Sequence, residues 1–156
     1  MNKYMYAANQ EAEKNYNNKF KDGGPFGAVI VKDNQIIATG KNNVLINNDP
    51  TAHAEISAIR DACKILNTHD LSGCQIYTTC FPCPMCLSAI IWANIKTIYY
   101  GNNKEDAANI GFKDDMIYSL FNNLYDNETV KFKQIDREET IKLFNKFKNI
   151  DDKIIY

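Results

Sequence analysis

The sequence predicts an α/β fold, a three-layer α/β/α sandwich with helices on both faces of a five-stranded mixed sheet, in a single domain over residues 1–156. Three observations carry that prediction. At 156 residues the chain is long enough for one real hydrophobic core and too short to require a second. Apolar residues make up 45% of it, too many for disorder along its bulk. After an opening helix and a hairpin, segments of helical periodicity alternate with short β-rich runs.

Residues 3–18 set Tyr4, Ala8, Ala12 and Tyr16 in helical register on an otherwise polar segment, which reads as a moderately amphipathic helix. Gly23-Gly24-Pro25 breaks it. Residues 26–31 and 35–39 then flank a Lys-Asp-Asn turn and read as a hairpin. A polar loop over 41–49 leads into a helix over 51–66. Thr51 is suited to cap that helix, and Ile56, Ile59, Cys63 and Leu66 recur at spacings of three and four on its buried face. Further on, 75–79 is a strand, 84–93 a short helix and 97–100 another strand. Residues 114–122 read as a helix and 130–135 as the fifth strand. A last helix, about 137–149, turns Leu143, Phe144, Phe147 and Ile150 inward and Lys142, Lys146 and Lys148 to water.

Charge narrows the function. Lys plus Arg total 18 against 19 Asp plus Glu, and no basic stripe interrupts that balance, so a dedicated nucleic-acid binder is not expected. No run is apolar enough for a signal peptide or a bilayer span, and the expected location is the cytoplasm. Five cysteines, an odd number, then read as thiols or metal ligands and not as a disulfide framework.

Two short stretches carry chemistry. In PTAHAEISAIR an early glutamate suits the positive end of a helix, but His53 has no packing reason to be there. In FPCPMC, Pro84 fits a first helical turn, and Cys83 and Cys86 sit one turn apart at a helix start that favours thiolates. Taken alone, the cysteine pair is a redox pair, half of a structural zinc site or chance. Taken with His53, it makes a three-ligand set that leaves one position of a tetrahedral zinc open, the mark of catalytic zinc. Two thiolates cancel the charge of the ion, so the water to be activated needs a separate proton acceptor. Glu55, two residues beyond His53, is that acceptor.

His-x-Glu followed by Pro-Cys-x-x-Cys is the signature of zinc deaminases. On GGPFGAVIV, NDPTAHAE, PCPMCLSAIIWA and DAANIGFKDD, the chain from about residue 23 to residue 120 resembles the cytidine deaminase-like superfamily, and within it the guanine deaminase branch. The resemblance implies a cytidine deaminase-like fold and hydrolytic deamination of guanine to xanthine and ammonia. It implies one zinc on His53, Cys83 and Cys86, with Glu55 as the proton shuttle. It also implies that the Asn42 amide holds the base, that Phe26 lines the pocket and that Trp92 lies near the same cavity. Asp114 reads two ways: as a cap for the following helix, or as the acceptor for guanine's N1–H and 2-amino donors, where adenine offers an acceptor at N1. Tyr156 closes an apolar ending, IIY. The family implies that the C-terminal segment, about 137–156, covers the active site or is exchanged between the subunits of a homodimer; core packing is the alternative. The family commonly carries glutamate where Phe81 stands here, which removes a hydrogen-bonding group beside the site.

Rival readings are a tRNA adenosine deaminase, a deaminase of another small aminated base or nucleoside, and a non-catalytic zinc module on the same scaffold. Residues 130–156 hold seven basic and five acidic side chains, a weak excess for gripping RNA phosphates. An intact Glu55 and an open coordination position argue against the non-catalytic module.

Overall fold

The structure is a computed structural model that describes residues 2–122, 132–149 and 151. The chain groups into two compact units, Met1–Asp114 and Asp115–Tyr156. The first opens with α1 (Lys3–Asn17), whose N-cap Asn2 accepts hydrogen bonds from the backbone N–H groups of Tyr4 and Met5. Strands β1 (Gly27–Lys32) and β2 (Gln35–Lys41) form the expected hairpin. Asp33 and Asn34, both with positive φ, make its two-residue turn. The short α2 (Val44–Asn47), α3 (Ala54–Leu66), β3 (Gln75–Cys80), α4 (Pro84–Trp92), β4 (Thr97–Asn102) and α5 (Lys104–Asn109) complete the unit. The second unit contains α6 (Asp115–Asn122) and α7 (Arg137–Lys148).

The sheet order is β2-β1-β3-β4, antiparallel except for the β3–β4 pair, which α4 connects as a parallel crossover. Alternation along β1 builds the layers. Ala28 and Ile30 join Ile76, Leu71 and Ile90 on one face, against Ala54, Ala58 and Ala62 of α3. Val29 and Val31 join Tyr77 on the other face, beneath Tyr4 and Ala8 of α1. The α/β/α sandwich is therefore as expected.

The alanine face of α3 lets its backbone approach the sheet closely, and Gly40 is the other half of that contact. A Cβ at Gly40 would lie 2.3 Å from the Ala54 carbonyl oxygen and 2.6 Å from the Ala58 nitrogen, so any side chain there pushes α3 off the sheet. Gly40→Ala lowers stability by about 1–3 kcal/mol. Urea unfolding measures this, and an unchanged midpoint would show that α3 shifts at no cost.

Several expectations are corrected. Among the described residues the sheet has four strands, not five: 132–135 lie in no element, and 130 and 131 fall outside the described residues. An alternating pattern qualifies a segment for a sheet, but pairing also needs a free edge in reach. The helix expected from residue 51 starts at Ala54 with His53 as its N-cap. Thr51 instead donates from its N–H and its hydroxyl to Asp49 Oδ1, at 2.8 and 2.7 Å. Helix α5 was not foreseen, although the Asn103–Asp106 capping box was its signal. Leu143, Phe144 and Phe147 of α7 are exposed, and Ile150 is outside the described residues. Periodicity marks a face that can be covered, without saying that one chain covers it. Among the described residues, no helix is long and apolar enough to cross a membrane.

Candidate active site

Two helix starts make the floor of the site. His53 (φ −67°, ψ 159°) and Cys83 (φ −64°, ψ 166°) are the N-caps of α3 and α4, and neither side chain caps its own helix. Both turn away from that role and meet. Pro84 occupies the first turn of α4, and Cys86 follows one turn later, fully buried. Cys83 Sγ and Cys86 Sγ lie 3.6 and 3.5 Å from His53 Nδ1, and the three atoms all lie within 4.8 Å of one another.

This donor set fits zinc. With Zn–S near 2.3 Å and Zn–N near 2.0–2.1 Å, a tetrahedral ion holds its N and S ligands about 3.6 Å apart. The thiol chemistry agrees. A hydrogen bond from the Cys86 thiol, with His53 adding its own, holds Cys83 at a pKa of about 4 despite burial. Cys86 is raised in turn, because Cys83 accepts from it and it is buried. The Cys83 hydrogen bond raises the His53 pKa against the effect of burial. A cation bound here would displace the remaining thiol proton.

Glu55, the second residue of α3, is 6% exposed. Its Oε1 accepts from the Thr78 hydroxyl at 3.2 Å and its Oε2 from the Cys86 thiol at 3.5 Å. Burial pushes its carboxyl above the usual range. A carboxyl raised in this way suits general acid–base work.

A cavity of about 300 Å³ opens over this floor, lined by His53, Glu55 and Cys83 and walled by Phe26, Asn42 and Asp114, with Phe81 and Phe112 beside them. The Phe26 and Phe112 rings meet edge to face, 4.9 Å between centroids at 85°. Asn42 is buried. Its Oδ1 accepts from the Val44 N–H at 3.2 Å, which leaves the donor Nδ2 to the cavity. The packing depends on Gly23, where a Cβ would lie 2.1 Å from Asn42 Oδ1. Phe81 carries the Lys104 ammonium 4.7 Å above its ring and packs edge to face on Tyr100.

Six of the expected residues thus line one cavity, and Cys86 lies behind it. Trp92 is not among the lining residues. It ends α4, six residues beyond Cys86, and is 67% exposed; a rise of 1.5 Å per residue carries it about 9 Å along the axis, away from the cysteines. Tyr156 lies outside the described residues. Thr78 and Phe112 escaped sequence reasoning. Thr78 had a signal: it shares the buried face of β3 with Ile76, where a hydroxyl needs a partner.

Comparison with known proteins agrees with this geometry. The family described as the cytidine and deoxycytidylate deaminase zinc-binding region matches residues 1–102. The chain is 49% identical to the guanine deaminase of Bacillus subtilis over 134 residues, 86% of each chain. The X-ray structure of that protein superposes with a TM-score of 0.92, covering 100% of this chain and 99% of the other at 45% identity. A tRNA-specific adenosine deaminase of Aquifex aeolicus is 36% identical over 92% of this chain and 91% of its own. A guanine deaminase structure from Nitrosomonas europaea matches at TM-score 0.65 and 32% identity, over 71% of this chain and 63% of the other.

Proposed function

The chain belongs to the cytidine and deoxycytidylate deaminase zinc-binding family, and from that premise we propose that it is a zinc hydrolase converting guanine and water to xanthine and ammonia. The observation that carries the reading is a metal-fitting triad, His53, Cys83 and Cys86, beside a buried carboxylate at the floor of a cavity that also holds an amide and a second carboxylate. The 49% identity to a guanine deaminase supports guanine over other aminated bases.

Held by the triad, one zinc ion supplies Lewis-acid activation of water. The protein does the rest. Glu55 takes a proton from that water and delivers it to the ring nitrogen beside the amino-bearing carbon. It then carries the second proton to the departing amine, so that ammonia leaves as the new carbonyl forms. The Thr78 hydroxyl holds one Glu55 oxygen in place for both transfers. Asn42 donates to an acceptor on the base, Phe26 and Phe112 bound the ring, and Asp114 accepts from the N1–H and amino donors that distinguish guanine from adenine. The working form is a cytoplasmic homodimer.

Ammonia release from guanine, adenine, cytosine, guanosine and a tRNA anticodon stem-loop tests the assignment. Guanine is turned over best; faster release from the stem-loop would transfer the assignment to tRNA. In Asp114→Ala, kcat/KM for guanine falls about 10- to 100-fold, as expected for lost hydrogen bonds to a charged acceptor, while the weak adenine rate does not fall with it. An unchanged guanine-to-adenine ratio would remove Asp114 from recognition and leave it as a helix cap.

A further inference from the structure

We propose that Asn15 is a positioning residue for base binding: from α1, outside the cavity, its amide holds Asn42 in the conformation that presents Nδ2 to the base. The inference rests on the reading of Asn42 given above and extends it to a residue that does not line the pocket.

Asparagine is a weak helix former, and a buried amide is costly unless all its polar atoms are satisfied. Asn15 lies in α1 at 0% exposure, and its amide is fully used. Nδ2 donates to the carbonyls of Gly24 at 2.9 Å and Asn42 at 2.7 Å. Oδ1 accepts from the Lys41 ammonium at 2.9 Å, which fixes which way the amide faces. Lys41 is also paired with the Asp22 carboxylate, and the Asp22 carbonyl accepts from the N–H groups of Leu45 and Ile46 at 2.9 and 3.1 Å. One side chain therefore ties the glycine loop to the end of β2, and Lys41 and Asp22 carry the connection on to α2.

The consequence falls on Asn42. Its N–H donates to the Phe26 carbonyl at 3.1 Å, its carbonyl accepts from Asn15 and its Oδ1 accepts from Val44. Every polar atom is fixed except Nδ2, the one that faces the cavity. That is the pattern of a preorganised binding group, held so that little ordering is left for the moment of binding. It also predicts a particular kinetic signature, because this wall shares no helix or strand with His53, Glu55, Cys83 or Cys86. Loss of Asn15 weakens ground-state binding and leaves the chemistry intact.

The test is steady-state kinetics with guanine on zinc-loaded Asn15→Leu, Lys41→Met, Lys41→Arg and Asn42→Ala, together with Asn42→Ala combined with each of the first two. Asn15→Leu and Lys41→Met raise KM about tenfold or more, with kcat within about threefold of wild type and zinc content unchanged. Lys41→Arg, which can still donate to Oδ1, restores a KM near wild type. In the Asn42→Ala background neither substitution raises KM further, because both act through the group already removed. If Asn15→Leu does not fold, Lys41, whose side chain is 20% exposed, carries the same cycle. Losses that multiply with that of Asn42→Ala, or a fall in kcat at constant KM, overturn the proposal and leave Asn15 a structural residue. A wild-type KM in Asn42→Ala overturns the Asn42 reading and this inference with it, whereas a wild type without guanine turnover overturns the activity itself.

Discussion

Glu55→Gln retains one zinc ion per chain and loses turnover by about 10²–10⁴-fold, the usual contribution of a positioned acid–base group. Glutamine preserves the shape of the side chain and the acceptor for the Thr78 hydroxyl, but cannot take a proton from water. The same substitution stabilises the fold. Burial raises the Glu55 pKa in the folded protein above its ordinary 4.5, so the native state binds that proton more tightly than the unfolded chain. Stability accordingly falls as pH rises through 4.5, where the unfolded carboxyl ionises first, and stays lowered once the folded carboxyl has ionised too. With both proteins in the same metal state, Glu55→Gln melts above wild type at pH 7, and the gap closes below pH 4.5. Metal analysis, ammonia release and melting scans read the three effects separately. Wild-type turnover in the variant would remove Glu55 from the mechanism.

Cys83→Ala abolishes zinc retention, reduces turnover to background and removes the stability that the metal confers. Alanine there also removes the hydrogen bonds that Cys83 makes to His53 and Cys86 in the metal-free protein, so the metal's share is read from the response to added zinc. Wild type gains about 4 kcal/mol once free zinc exceeds its dissociation constant roughly a thousandfold. The variant gains nothing. Melting scans with and without added zinc check this directly, with His53→Ala as the companion. A Cys83→Ala protein that responds to zinc like wild type would show that the thiolate is not a ligand.

The zinc site was readable because its parts are local. His53 and Glu55 are two residues apart, Cys83 and Cys86 three apart, and each pair sits where a helix start can be recognised from Pro84 or from the apolar spacing that follows. All four strands and helices α1, α3, α4, α6 and α7 were legible for the same reason, since periodicity within an element reports the face it buries. Long-range consequences were not. Trp92 was placed near the cavity by its neighbours in sequence, while the length of α4 carries it to the far end. Asn15 reads as one more polar residue in a polar helix, and only the approach of Gly24 and Asn42, nine and 27 positions on, gives its amide a task. The fifth strand failed in the same way, because a strand is completed by its neighbour.

The zinc-fitting triad and Glu55 stand at the starts of helices α3 and α4, whereas Gly24, Phe26 and Asn42 stand on a wall clamped from α1. In the proposed mechanism, reaction and recognition are thus separable parts of one cavity. A lineage could exchange one nucleobase for another by rebuilding the clamped wall while every hydrolytic atom kept its place, and an engineer seeking a new substrate would start at residues 15, 22–26 and 41–45.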